Sequence, residues 1–286
     1  MDIGQMLVEE VTKEVEKRFN VSSEMLKGIV ADELSKHSKT ITIKRKDLPE
    51  IKFDAVHSQF EKLLRLMSCR VPVFITGPAG SGKTKAVEQA SDALGLEFSA
   101  VSVGPQTTQS HLMGYMDATG RYVVSEFRKR FENGGVFLID EFDAGSPQVL
   151  TCLNSALSGS FCAFPDAMVK KHADFLCIAT GNTYGNGANR IYVGRNQLDG
   201  ATLDRFVVLE FDYCEKLERK LTNNDAWLER VQVIRNKVSE LGIRVVISPR
   251  ASIYGAKLLE SGFTQKEVES MTIFKGMSKE DMERVC

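Results

Sequence analysis

Residues 77–84 read Gly77-Pro78-Ala79-Gly80-Ser81-Gly82-Lys83-Thr84, the G-x-x-x-x-G-K-[ST] spacing of a loop that cradles phosphates. The glycines let the backbone approach a polyphosphate with no Cβ in the way. The N–H groups of the loop and of Lys85 then face the anion at the positive end of the following helix. Lys83 is expected on the β- and γ-phosphates and Thr84 Oγ on a magnesium ion, so the expected ligand is a nucleoside triphosphate with Mg2+. The plain alternative is a Gly-rich turn before a helix. The apolar run Val71–Thr76 before the loop and the helix-forming stretch Lys85–Leu94 after it supply the strand–loop–helix context that the phosphate reading requires.

Four more segments carry candidate chemistry. The apolar run Val136–Ile139 ends in two carboxylates, Asp140 and Glu141. Asp140 suits a magnesium carboxylate and Glu141 the base that orients and deprotonates the attacking water. Asp143, on the same loop, is open between a solvated and a structural carboxylate. Asn182, in Ala179-Thr180-Gly181-Asn182-Thr183, has an amide able to hold both a γ-phosphate and a water, although Asn is also a common turn residue. Arg205, in Leu203-Asp204-Arg205-Phe206, is placed to reach a neighbouring subunit's γ-phosphate as a finger in trans, with a surface pair to Asp204 as the alternative. Ser248-Pro249-Arg250 reads as a helix start, with Arg250 directed at bound nucleotide or serving the helix start alone.

These residues need a scaffold. Short apolar runs at Glu97–Val103, Val136–Asp140, Phe175–Thr180 and Phe206–Phe211 predict strands buried on both faces, as in a parallel sheet. Helical stretches are predicted at Ala55–Met67, Ser125–Glu132 and Pro147–Leu157, and the alternation predicts a three-layer α/β core. From Tyr213 the pattern turns helical (Asp225–Leu241, Arg250–Ser261, Gln265–Phe274, Lys279–Val285) and predicts a lid. Met6, Leu7, Val11, Val15 and Phe19 recur at helix spacing within residues 1–37, an arm suited to packing or subunit contact, followed by a Lys-rich linker with a short strand at Thr40–Ile43. The expected division is an arm and linker over 1–50, a nucleotide-binding core over 51–212 and a lid over 213–286.

Composition narrows the functional classes. Lys plus Arg number 37 against 38 Asp plus Glu, which argues against a broad nucleic-acid footprint without excluding a local basic patch. The six cysteines are scattered and read as reduced thiols of a cytoplasmic protein, with Cys177 a core filler. The four histidines lack metal-ligand spacing. No signal peptide and no membrane-spanning apolar run is read.

Taken together, the motifs resemble the AAA+ ATPase superfamily. Over residues 71–211 they resemble the MoxR-like group, in particular the small ATPase subunit of cobaltochelatase. The resemblance rests on Leu112-Met113-Gly114-Tyr115, Gly120-Arg121-Tyr122 and Asn133-Gly134-Gly135. It continues through Thr183-Tyr184-Gly185-Asn186-Gly187, Tyr192-Val193-Gly194 and Asp204-Arg205-Phe206. It implies a five-stranded parallel sheet of order 5-1-4-3-2 and ATP with Mg2+ bound between subunits of a hexameric ring. It implies Walker A at Gly77–Thr84, Walker B at Asp140 and Glu141, sensor one at Asn182, the finger at Arg205 and sensor two at Arg250. Arg190 and Arg195 lie near enough to share or replace the finger. Hairpins facing a pore are implied at Met116–Val124 and Phe161–Asp174. The group's work is remodelling a protein partner, often with a von Willebrand factor A (VWA) protein. A nucleic-acid motor using Lys170, Lys171 and His172, a metal-chelatase motor and a nucleotide-dependent switch stand as alternatives.

Overall fold

The computed structural model describes residues 41–45 and 48–286, with the backbone alone up to residue 52. The helical arm expected over residues 1–37 lies outside the described residues.

The described chain opens with an antiparallel hairpin, β1 (Ile41–Arg45) and β2 (Leu48–Phe53), with Ile43 opposite Ile51. Helix α1 (Phe60–Ser68) leads to β3 (Val73–Thr76), and α2 (Lys83–Leu94) to β4 (Phe98–Ser102). A short helix α3 (Gln109–Met113) precedes the hairpin β5 (Tyr115–Met116)–β6 (Tyr122–Val123), then α4 (Glu126–Asn133) and β7 (Gly135–Asp140). The helical turns α5 (Pro147–Leu150) and α6 (Asn154–Ser158) precede the hairpin β8 (Phe161–Ala163)–β9 (Met168–Lys170), then β10 (Phe175–Gly181), α7 (Gly200–Leu203) and β11 (Val207–Glu210). Five helices follow: α8 (Glu215–Thr222), α9 (Asp225–Glu240), α10 (Pro249–Glu260), α11 (Gln265–Thr272) and α12 (Lys279–Val285).

The core sheet is all parallel and ordered β11-β3-β10-β7-β4, the expected 5-1-4-3-2. The inner strands β3 and β10 are buried at every position because helices cover both faces, which is why they read as unbroken apolar runs. Along β3 the period of two still shows: Val73 and Ile75 join Phe60, Leu63, Val87 and Ala90 of α1 and α2. Phe74 turns to the opposite face with Phe127, Phe137 and Phe142. Cys177 is a core filler on β10, its thiol pushed up to about 12 by burial. The C-terminal helices hold their own cluster around Trp227, Val231 and Ile234. Gly255 lies so close under the Trp227 ring that a Cβ there would sit 2.3 Å from it.

Three expected elements differ. The helix expected from Ala55 begins at Phe60, because tertiary contacts hold the preceding turn. His57 stacks on Phe211 with ring centroids 4.0 Å apart, its Nδ1 accepts from Gln59 N (3.1 Å), and its Nε2 therefore donates to the Asp212 carbonyl (2.8 Å). The helix expected over Pro147–Leu157 is interrupted by a tight turn at Thr151–Leu153, where Thr151 Oγ1 donates back to the Gln148 carbonyl (2.7 Å). Helix α8 was not expected; its apolar stripe is thin because the inward residue is Glu218, neutralised by Arg235 at 2.8 Å.

The His57 clip gives a pH signature. Burial holds the imidazole below its ordinary 6.5, so the folded chain keeps it neutral where the unfolded chain already takes up a proton. The unfolded state then binds more protons, and stability falls as pH drops below 6.5 toward the folded value. Thermal unfolding followed from about pH 7 to about pH 5 should show Tm falling, and His57→Gln should flatten that slope. An unchanged slope in the variant contradicts the clip.

Candidate active site

The phosphate loop leaves β3 through a passage that only glycine fits: a Cβ on Gly77 would lie 1.8 Å from the Phe211 carbonyl oxygen, and Gly77 N donates to the Gly181 carbonyl (3.2 Å). Gly82, at φ +91°, turns the chain into α2, twelve residues long. The backbone N–H groups of Gly80, Gly82, Lys83, Thr84 and Lys85 have no partner among the described residues. The buried Ser81 hydroxyl also lacks one. Unpaired donors at the positive end of a helix are an anion site in waiting, so the loop fits a polyphosphate. Lys83 Nζ donates to the carbonyls of Gly77 (2.8 Å) and Pro78 (3.0 Å) and to Asn182 Oδ1 (3.0 Å). Burial draws its pKa down to about 8; the charges of Glu141, Asp140 and Asp143 push the other way, and burial wins.

The two carboxylates at the end of β7 have separate surroundings. Asp140 Oδ2 accepts from Thr84 Oγ1 (3.0 Å), and Oδ1 accepts from Thr180 Oγ1 and from Glu141 N (3.1 Å). Two adjacent hard oxygens, Thr84 Oγ1 and Asp140 Oδ2, suit magnesium. Among the described residues no cluster of three or more His, Cys, Asp or Glu could cage a metal alone, so the ion's other ligands would be phosphate and water. Glu141 sits in the left-handed region at φ +59°, a conformation that costs a β-carbon residue of order 1 kcal/mol and recurs at functional sites. Its Oε2 accepts from Asn182 Nδ2 (3.3 Å) and pairs with Arg195. Lys83, Asn182 and Glu141 thus form one relay, assembled from the start of α2 and the ends of β10 and β7.

Of its two readings, Asp143 takes the structural one. It is fully buried and accepts from Asn182 N (3.1 Å), Thr183 N (2.8 Å), Thr183 Oγ1 (2.8 Å) and Arg195 (3.1 Å), so it shapes the turn that presents Asn182.

The arginines divide. Arg195 is inside its own chain's site. Arg190 is exposed at the mouth of a 550 Å3 cavity between the phosphate loop and the C-terminal helices. Arg205 touches none of Lys83, Asp140, Glu141 and Asn182; its Nε donates to Ser158 Oγ (2.8 Å) and its NH1 to the Ala201 carbonyl, so the surface pair with Asp204 that stood as the alternative to the finger is not formed. Arg250 lies over the loop, its Cγ 3.8 Å from where a Cβ on Gly80 would stand, with no side-chain partner among the described residues. Lys85 Nζ turns away to Glu88 (2.8 Å), leaving its backbone N–H as its contribution.

Two tyrosines join the site without being among the expected site residues. Ala79 N donates to Tyr192 Oη (2.9 Å), and Tyr213 Oη donates to the Ala79 carbonyl (3.2 Å) while its ring lies 4.8 Å from the Arg235 guanidinium. Nothing local in the sequence marks either one, since each acts 113 or more positions from its partner.

Both expected hairpins are present and tied together. Buried Arg128 on α4 lies over the rings of Tyr122 and Phe164 (5.6 and 4.6 Å) and bonds Asp166 (2.9 Å). The hairpins expose Tyr115, Met116, Phe161 and Met168. Of the basic residues Lys170, Lys171 and His172 of the second hairpin, Lys171 is engaged with the Leu157 carbonyl (3.1 Å), and burial lowers its pKa.

Residues 72–206 match the family profile of the AAA domain, dynein-related subfamily. The chain is similar to an uncharacterised protein of Staphylococcus epidermidis, 26% identical over 169 residues that make up 54% of this chain and 61% of the relative. It is also similar to midasin of Dictyostelium discoideum, 29% identical over 166 residues, 55% of this chain and 3% of midasin. The chain therefore spans less than two thirds of these relatives. A solved RuvB mutant of Thermotoga maritima has the same fold, with a TM-score of 0.50 at 17% identity over 75% of this chain and 67% of that one. No helix among the described residues is long and apolar enough to cross a membrane.

Proposed function

We propose that this chain, an AAA+ ATPase by virtue of the AAA domain at residues 72–206, works as a ring-forming motor that hydrolyses ATP between subunits to remodel a protein partner. In this reading residues 51–212 are the motor core and 213–286 its lid. Gly77 through Lys85 hold the phosphates and Lys83 moves its ammonium from the Gly77 and Pro78 carbonyls to the β- and γ-phosphate oxygens. Magnesium, held by Thr84 and Asp140, would neutralise charge on the β- and γ-oxygens. Glu141 takes a proton from water as the water oxygen bonds to the γ-phosphorus. The bond from that phosphorus to the bridging oxygen breaks, and its electron pair leaves with ADP. Asn182 orients the water and Arg250 senses the nucleotide from the lid.

The observation that carries the shared-site reading is the placement of Arg205. Lys83, Asn182 and Glu141 lie within one hydrogen-bonded cluster, while Arg205 is held outside it by Ser158 and Ala201. The exposed apolar hairpins favour a polypeptide as the load, and the resemblance to the MoxR-like group is what brings a VWA-domain protein into consideration as a partner. The engagement of Lys171 and a net charge of −1 weigh against a nucleic-acid motor.

Glu141→Gln should retain ATP binding while turnover falls about 10²–10⁴-fold, the range of general-base catalysis. Filter binding and phosphate release measure the two quantities. Turnover at the parent rate contradicts the base assignment. Loss of turnover with remodelling intact would point to a switch, and stimulation of hydrolysis by DNA at low salt would favour the nucleic-acid motor.

A further inference from the structure

We infer that Arg195 is a positioning residue for Glu141 that acts within its own subunit, and that it serves no neighbour as a finger. The inference rests on Glu141 being the base.

The Arg195 side chain is only 14% exposed, and its NH1 pairs with Glu141 Oε2 and with Asp143 Oδ1 (3.1 Å). Asp143 is fully buried and grips the backbone of Asn182 and Thr183. One guanidinium therefore ties the half-exposed base to the carboxylate that builds the Asn182 turn. Asn182 Nδ2 reaches the same Glu141 oxygen (3.3 Å). An ion pair with Arg195 and a hydrogen bond from Asn182 hold Oε2, while Oε1 makes no hydrogen bond among the described residues and is left to accept the proton of water.

The segment that carries Arg195 is pinned on both sides. Asn196 N donates to the Asp143 carbonyl (2.8 Å), and Asn196 Nδ2 to the carbonyls of Ala144 (3.2 Å) and Gly145 (3.0 Å). Leu198 N donates to the Gly185 carbonyl (2.9 Å), closing the base of the loop. At its far end Tyr192 is held on Ala79 of the phosphate loop. To reach another subunit, Arg195 would have to abandon a buried carboxylate, a costly step for a paired charge.

The backbone of Glu141 fixes only its Cβ. Three side-chain torsions remain, and the side chain is 40% exposed, so without a tether the carboxylate would sample several positions. A base displaced by about 1 Å loses on the order of 10²-fold in rate.

Four measurements test this. Arg195→Ala should lower kcat about 10–100-fold with KM for ATP within about threefold, because the phosphate loop is untouched. Arg195→Lys, which keeps the charge beside Asp143 but lacks the planar fork, should recover part of the loss. In single-turnover assays, adding Arg195→Ala to Glu141→Gln should cost nothing further, since both act through one group. A multiplicative loss in the double variant marks a role independent of the base and overturns the inference. Should Arg195→Ala not fold, Arg195→Lys carries the same cycle. Mixing either Arg195 variant with Glu141→Gln subunits should restore no activity; restoration would make Arg195 a trans residue. Glu141→Gln alone at the parent rate would instead sink the base assignment, a distinct outcome.

Discussion

Replacing Arg205 with Ala should lower kcat about 10³-fold or more while ATP affinity stays within about threefold. The separation of the two effects follows from where Arg205 stands. It makes no contact with the phosphate loop, Asp140, Glu141 or Asn182 of its own chain, so binding to that chain has nothing to lose. A guanidinium arriving from a neighbour meets the γ-phosphate only as charge builds in the transition state, and such fingers supply about 10³–10⁵-fold. The substitution itself is mild for the fold: it removes bonds to Ser158 and Ala201 on a partly exposed surface, each worth on the order of 1 kcal/mol. Phosphate release at saturating ATP, set beside equilibrium nucleotide binding, separates the terms. A loss confined to affinity would place Arg205 in its own subunit's site.

Lys83→Ala should remove turnover altogether and weaken ATP binding by about 10²-fold, within the 2–5 kcal/mol expected when one partner of a buried charge contact is cut away. The ammonium is already partly dehydrated, with its pKa pulled to about 8, and aimed by the Gly77 and Pro78 carbonyls. Little reorganisation is needed to place it on phosphate, which is why its loss is not made up by solvent. It also bonds Asn182, so its removal loosens the residue expected to hold the attacking water. Nucleotide binding and single-turnover hydrolysis measure the effect. Turnover within tenfold of the parent would mean that the loop's backbone donors suffice.

The phosphate loop and the carboxylate pair are legible in the sequence because each is local, and so are the buried strands as unbroken apolar runs; the strand order 5-1-4-3-2 is long-range and came with the family resemblance. Gly77–Thr84 states its own geometry, and strands buried on both faces announce themselves as unbroken apolar runs such as Val73–Ile75 and Phe175–Ala179. What the sequence did not carry is long-range. Asp143 could not be placed because its donors come from Asn182, Thr183 and Arg195, 39 to 52 positions away. Closeness in sequence to Arg205 makes Arg195 a candidate finger, whereas its partners bring it into its own site. Tyr192 and Tyr213 look like ordinary loop aromatics until folding sets their hydroxyls on either side of Ala79. Helix α8 escaped because its inward residue is a charged Glu218, which only the pairing with Arg235 renders compatible with burial.

The central claim is that one catalytic site is built from two copies of this chain, with Glu141 from one and Arg205 from the next. Mixing Arg205→Ala subunits with Glu141→Gln subunits tests it most directly, since neither population alone has a complete site. Mixed rings then contain junctions where an intact Glu141 faces an intact Arg205. ATP turnover should rise well above that of either variant alone, to a fraction of the parent rate set by the mixing ratio. Turnover that stays at the level of the separate variants, with mixed assembly demonstrated, would contradict the shared site.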